Sequence, residues 1–222
     1  MSELRLFLDT AERAEWHRWL PLGVFAGITT NPTLLRRAGV RCDVPTLATL
    51  AHDAIVMGAG EIHLQAWGDG GDALLACGRA LAAIDHRVCV KLPLTPAGLQ
   101  AAHELIGDTV RVTFTACFDT SQLLPALALG ADYVAPYLGR INDSGRDGFA
   151  EVERMQRVVA AQGASLRILV ASLRLPEDLA RLAAAGLKTF TISPALAEDL
   201  LANAQTAAAM AQFEADAGAV EA

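Results

Sequence analysis

Eight short apolar runs punctuate this chain, and each gives way to a polar turn and then to a segment of helical period. The runs cover residues 4–8, 24–28, 61–65, 88–92, 110–114, 133–135, 166–171 and 189–192. Helix-like stretches lie between them, among them 44–57, 72–84, 96–106, 120–129, 147–161 and 176–185. Strands that are reached through a helix each time pair in parallel, and eight such units in 222 residues predict a (β/α)8 TIM barrel of the α/β class. An open doubly wound sheet is the alternative, but the turn after the first run has no Gly-x-Gly-x-x-Gly. Gly130 and Gly186 each follow an Ala/Leu-rich segment and precede a run, as helix C-caps do. We expect a single domain over 1–222, with an additional C-terminal helix at about 195–217 packing under the barrel or on a neighbouring subunit.

The balance of side chains narrows the partners. Hydrophobic residues make up 53% and charged ones 19%, which gives a globular chain rather than a disordered one. A formal net charge of -7 with no basic stripe excludes nucleic acid and anionic membrane surfaces as expected partners. Polar residues interrupt every Ala/Leu-rich segment well short of a membrane span. The start Met1-Ser2-Glu3-Leu4-Arg5 has no signal-peptide pattern. Cys42, Cys77, Cys89 and Cys117 have neither C-x-x-C nor metal-ligand spacing and read as thiols of a reducing compartment, so the expected location is cytoplasmic.

Within this frame Lys91 stands out. It ends the run Val88-Cys89-Val90-Lys91-Leu92, which Pro93 closes. A lysine is rarely held in a core, and a desolvated amine favours its neutral, nucleophilic form, which attacks carbonyls to give Schiff bases. Taken alone, the run fits a strand-end lysine that snorkels to solvent as well or better. The other strand ends change the balance: they carry Asp9, Thr29-Thr30-Asn31, Gln65, Thr115, Tyr137 with Arg140, and Ser172. Catalytic groups of a barrel gather at these ends. Period-2 alternation puts Cys89 with Lys91, His63 with Gln65, Thr113 with Thr115, and Phe7 with Asp9 on the inner face. Asp9 and Asn31 also suit helix capping, but seven polar strand ends together favour a site.

The segments Leu8-Asp9-Thr10-Ala11, Gly27-Ile28-Thr29-Thr30-Asn31-Pro32-Thr33, Val90-Lys91-Leu92-Pro93-Leu94-Thr95 and Tyr133-Val134-Ala135-Pro136-Tyr137 resemble the transaldolase family, and within it the small fructose-6-phosphate aldolase branch. The resemblance runs from Leu6 to about Phe213 and implies a (β/α)8 barrel, a Schiff-base lysine at Lys91, no metal or organic cofactor, and a ring-shaped homo-oligomer, a pentamer or decamer. By matching position it implies that Asp9 handles protons at carbon–carbon cleavage and that Asn31 and Thr29 bind donor hydroxyls. Gln65, Thr115 and Tyr137 would hold the water that shuttles protons. Arg140 and Ser172 would bind the acceptor phosphate, with Arg174 adding charge nearby. Transaldolases proper carry Glu and Phe where this chain has Gln65 and Tyr137, so the pair matches the aldolase branch. Phe114, His63 and Gly139 depart from the branch pattern, and His63 reads as a bonded core histidine or a proton relay. The connection 141–148 is expected to be a turn-rich surface loop, and Trp16 and Trp19 to be core.

The expected function is a class I aldolase that cleaves fructose 6-phosphate or a similar ketose to dihydroxyacetone and glyceraldehyde 3-phosphate through an imine on Lys91. The rival is a transaldolase that passes the dihydroxyacetone unit between sugar phosphates. A non-catalytic sugar-phosphate-binding barrel has no use for a buried amine, and an isomerase barrel would use an acid–base pair without an imine.

Overall fold

Strand follows helix around a closed ring in the computed structural model, which describes residues 4–219. Residues 1–3 and 220–222, which hold the Met1-Ser2-Glu3 start and the far end of the expected single-domain span, lie outside the described residues. In chain order the elements are β1 (Arg5–Asp9), α1 (Arg13–Trp19), β2 (Phe25–Thr29), α2 (Pro32–Arg37), α3 (Val44–Val56), β3 (Glu61–Gln65), α4 (Gly70–Ala82), β4 (Val88–Pro93), α5 (Pro96–Gly107) and β5 (Val112–Cys117). They continue through α6 (Leu123–Leu129), β6 (Tyr133–Pro136), α7 (Leu138–Asp143), α8 (Gly148–Ala161), β7 (Arg167–Val170), α9 (Pro176–Ala184), β8 (Thr189–Ile192), α10 (Pro194–Leu201) and α11 (Ala204–Ala219). The strands pair in parallel in sequence order and close β8 onto β1, giving the (β/α)8 barrel.

Alternation along each strand sorts the side chains into two cores. Val88, Val90 and Leu92 join Leu8, Ile28, Ile62, Leu64 and Phe114 in the layer between strands and helices, which also takes Trp16 and Trp19. Phe7, Cys89, Tyr133, Ala135 and Leu169 face inward and fill the barrel. Gly27 has to be glycine for β2 and β3 to pair, because a Cβ there would lie 1.8 Å from the Glu61 carbonyl oxygen.

The lower barrel holds a buried polar cluster around Glu61, which is 3% exposed. Its carboxylate accepts from Arg5 at 3.1 Å and from Arg111 at 2.5 Å, and Arg5 also donates to the Tyr133 hydroxyl. His63 Nε2 lies 2.7 Å from Glu61 Oε1, and Nδ1 lies 2.9 Å from Thr113 Oγ1. A carboxylate only accepts, so Nε2 carries the proton and the Thr113 hydroxyl donates to Nδ1. His63 is thus a bonded core histidine, stacked edge-on against Phe7 and Tyr133.

Four local expectations are corrected. The connection 141–148 is helical at its start, since α7 runs to Asp143 and the turn begins only at Ser144. The helix expected over 120–129 divides into a 3-10 turn, Thr120–Gln122, and α6; Pro125 has no N–H and is tolerated only in a first turn, so the α-helix begins two residues before it. β5 extends to Cys117, past the expected end at 114, through a register shift between Phe114 and Cys117 where Ala116 takes φ 60°. The stretch 195–217 also divides. Asn203 Oδ1 accepts from the Gln205 and Thr206 amides at 2.9 and 3.0 Å, starting α11 as a separate helix after α10.

Candidate active site

At the C-terminal ends of the strands a cavity of about 210 Å³ opens to solvent, and Asp9, Asn31, Lys91, Tyr137, Arg140 and Ser172 all line it. Lys91 is 5% exposed, and its Nζ donates to the Thr30 carbonyl at 2.9 Å. That single bond aims the amine along the cavity floor, with the aliphatic stem packed in the barrel. Register sets its place, since β4 pairs Lys91 with Gln65 on one side and with Thr113 on the other.

Asp9 ends β1, and its Oδ1 accepts from the Thr29 hydroxyl at 2.6 Å. Thr29 and Thr191 share a 2.5 Å contact. Thr29 has only one hydroxyl proton and gives it to Asp9, so Thr191 donates to Thr29. This chain fixes the carboxylate while Oδ2 has no hydrogen bond among the described residues. Asn31 has two positions to serve. Its Oδ1 caps α2 by accepting from the Leu34 amide at 3.0 Å, and the residue also borders the cavity, so the amide nitrogen remains for a ligand.

Thr115 and Tyr137 are joined hydroxyl to hydroxyl at 2.7 Å. The Tyr137 ring lies edge-on to Phe118 and under the Arg140 guanidinium, which sits 4.8 Å from the ring centre. Gln65 is half-buried beside Lys91 but makes no side-chain hydrogen bond among the described residues and does not line the cavity. Thr115 is buried behind Tyr137 and also does not reach the cavity surface.

On the far wall Ser172 is held at φ 61°, a left-handed conformation that costs a non-glycine residue about 1–3 kcal/mol. Gly139 explains how Ser172 and Arg140 come together. A Cβ at 139 would stand 2.5 Å from the Ser172 carbonyl and 2.9 Å from its hydroxyl, so only glycine lets α7 approach the end of β7 this closely. Arg174 is directed outward, paired with Asp143 at 2.5 Å, and does not line the cavity.

Thr33, Arg37 and Thr191 also line the cavity, and sequence reading singled out none of them. Thr191 lies within its run rather than at the end, although inner-face alternation on the eighth strand points to it. Thr33 and Arg37 belong to the short α2 that follows the Thr-Thr-Asn-Pro turn, and only the path of that helix brings them to the rim. Among the described residues no group of three His, Cys, Asp or Glu side chains is placed to hold a metal ion, and no helix is long and apolar enough to cross a membrane.

Solved structures share the barrel at low identity, which speaks to fold alone. A mutant flavocytochrome b2 with pyruvate bound superposes with a TM-score of 0.61 at 11% identity, over 88% of this chain and 59% of that one. A mandelate oxidase mutant gives 0.57 at 14%, over 85% and 64%. Sequence relatives are closer. A protein of Sorangium cellulosum named "Probable transaldolase" is 34% identical over 214 residues, covering 96% of this chain and 97% of that protein. One of Rhodospirillum centenum with the same name is 33% identical, covering 96% and 90%. The model of the family described as Transaldolase/Fructose-6-phosphate aldolase matches residues 6–221. A lysine-centred cavity in an eight-stranded barrel, relatives alike over nearly their whole length, and this match agree: the chain belongs to the transaldolase/fructose-6-phosphate aldolase family.

Proposed function

We propose that the protein is a Schiff-base aldolase that reversibly cleaves a ketose phosphate of the fructose 6-phosphate type. The observation that carries this reading is the buried Lys91 amine, held to the Thr30 carbonyl and facing the same cavity as a carboxylate, a phenol and an arginine–serine pair. The amine adds to the ketone carbon and water leaves, giving an iminium. Asp9, oriented by Thr29 and Thr191, takes the proton of the hydroxyl on the next carbon but one. The bond between that hydroxyl-bearing carbon and the carbon adjacent to the iminium breaks, its electron pair moves into the iminium to form an enamine, and the aldehyde departs. Proton return to the enamine and water addition to the imine then release the ketone and restore Lys91. The Thr115–Tyr137 pair, with Gln65 near Lys91, is the machinery for moving those protons through a held water. Arg140 and Ser172 receive the acceptor phosphate, while Arg174 is spent on its ion pair with Asp143 away from the cavity.

Borohydride reduction in the presence of dihydroxyacetone, followed by peptide mapping, tests the imine. Label is expected on Lys91, and Lys91→Arg should retain the fold while losing turnover, because a guanidinium forms no imine. Label on Lys188, or activity in the arginine variant, would overturn the mechanism. A second reading, transfer of the ketone unit to another aldose phosphate, is favoured by the relatives' name "Probable transaldolase". The Gln65 and Tyr137 pair supports cleavage instead. Measuring dihydroxyacetone release against transfer to erythrose 4-phosphate decides between them.

A further inference from the structure

Tyr137 is held from one side by the end of β5. Its hydroxyl meets that of Thr115 at 2.7 Å, its amide donates to the Cys117 carbonyl at 3.3 Å, and its ring takes the edge of Phe118 at 5.8 Å between centres. With three contacts to residues 115–118, the path of this segment decides where the phenol stands. That path is irregular. Pairing with β6 lapses between Phe114 and Cys117, and Ala116 is held at φ 60°, a conformation uncommon for residues other than glycine. Such a conformation persists only where its surroundings over-determine it.

Two side chains supply that hold. Gln122 Oε1 accepts from the Phe118 amide at 2.8 Å and from the Asp119 amide at 3.1 Å. Arg146 closes the other side, its Nη1 donating to the Phe118 carbonyl at 3.0 Å and its Nη2 to the Asp119 carboxylate at 2.7 Å. Glu151, a nearly buried carboxylate, lies 3.3 Å from the same guanidinium and accepts from the Thr120 amide and hydroxyl, both at 2.6 Å. Arg146 belongs to the turn between α7 and α8, and α7 starts directly after Tyr137. The contacts therefore close a circuit, from Tyr137 through α7 to Arg146, across to Phe118, and back to the Tyr137 ring. Arg146 is 41% exposed and does not line the Lys91 cavity. An ion pair this exposed adds little to stability, whereas a planar fork that grips a carbonyl and a carboxylate together fixes a direction.

We propose that Arg146 is a positioning residue for the reaction: by fixing Phe118 it holds the Tyr137 phenol where a proton is to be passed, without itself touching substrate. This rests on the Schiff-base reading, with Tyr137 as a proton carrier within it. The test measures kcat and KM for cleavage of fructose 6-phosphate. Arg146→Gln should lower kcat about tenfold, within the roughly hundredfold that a misplacement of about 1 Å can cost. KM and the thermal midpoint should stay nearly unchanged. Arg146→Lys, which keeps the charge but not the fork, should recover part of the rate. Phe118→Leu, which keeps the backbone bonds and removes the ring edge, should reproduce the loss. In a Tyr137→Phe background Arg146→Gln should cost little more, because no phenol proton remains to be placed. Full kcat in Arg146→Gln or in Phe118→Leu, a loss confined to KM, or the same fold-loss in both backgrounds overturns the proposal. Borohydride trapping with dihydroxyacetone on the same preparations separates the failures. Label on Lys91 together with any of those outcomes defeats the positioning role alone, whereas no label on the wild-type protein defeats the lysine chemistry beneath it.

Discussion

Arg140 lines the cavity and covers the Tyr137 ring, and in the proposed reading it is also the cation offered to an acceptor phosphate. Arg140→Ala should raise KM for glyceraldehyde 3-phosphate. A hydrogen bond to a charged group contributes roughly 1.5–3 kcal/mol, or about tenfold to hundredfold. Unphosphorylated glyceraldehyde should be much less affected, and equal losses with both would assign Arg140 to holding Tyr137 rather than to recognition. Tyr137 itself is hydroxyl-bonded to Thr115, so Tyr137→Phe should cost most of the cleavage rate. In a Gln65→Glu background the same change should cost less, because the new carboxylate can carry the proton. A double-mutant cycle on the cleavage rate reads that coupling, and strictly additive losses would argue that Gln65 and Tyr137 act apart. Lys91, Asp9, Asn31, Tyr137, Arg140 and Ser172, read from the strand ends, line one cavity, whereas Gln65 and Thr115, read in the same way, do not reach it. Arg37 and Thr33 line it but were not legible, because a charged or hydroxyl residue on a surface helix looks the same in sequence whether it faces bulk solvent or a cavity.

Among the elements, α2 and β3 carry the clearest consequences. The short α2 depends on the Asn31 side chain for its cap. Asn31→Ala should therefore lower stability by about 1 kcal/mol as well as weakening donor binding, and Asn31→Ser should restore the cap without the amide. A denaturation midpoint rescued by serine with activity still low would separate the two functions. β3 brings Glu61 and His63 into the barrel interior, and both make the fold sensitive to acid. Burial would raise the Glu61 carboxyl, but the hydrogen bond from His63 and the charges of Arg111 and Arg5 hold it well below the usual carboxylate range. Its stabilisation is complete above the unfolded value and is lost as pH falls through the native one. Burial pushes the His63 imidazolium down. Below about pH 6.5 the unfolded chain takes up a proton that native His63 refuses, so stability falls there too. Thermal melts should show the midpoint dropping between pH 7 and pH 5, with the slope flattened by His63→Gln. An unchanged slope in that variant would remove His63 as the cause.

At the scale of the whole molecule, α11 is the unresolved demand. All of its described residues are exposed, including Met210 and Phe213 at 51% and 62%. A helix of this length is marginal in water without tertiary packing. A partner surface on another copy of the chain would supply that packing, in keeping with the homo-oligomer expected from the family resemblance. Met210→Asp combined with Phe213→Asp should shift the sedimentation coefficient toward the monomer while leaving the barrel's circular dichroism intact. An unchanged coefficient would place any subunit interface elsewhere.

The eight-fold alternation of apolar runs and helical segments determined the barrel, because each run had to bury both faces and the only connections available were helices. Alternation within the runs likewise determined which residues point inward, since side chains on a strand change face at every step. Tertiary structure decided what those residues do there. His63 reads as an anomaly in the sequence and becomes a hydrogen-bonded bridge between Glu61 and Thr113 only when β3 and β5 are set on either side of β4. Gly139 reads as a missing side chain and becomes the clearance that lets α7 meet Ser172. Arg37 reads as one of two adjacent surface arginines, yet only one of them borders the cavity. In each case the deciding contact joins parts of the chain far apart in sequence or depends on the exact path of a short helix, and local periodicity contains neither.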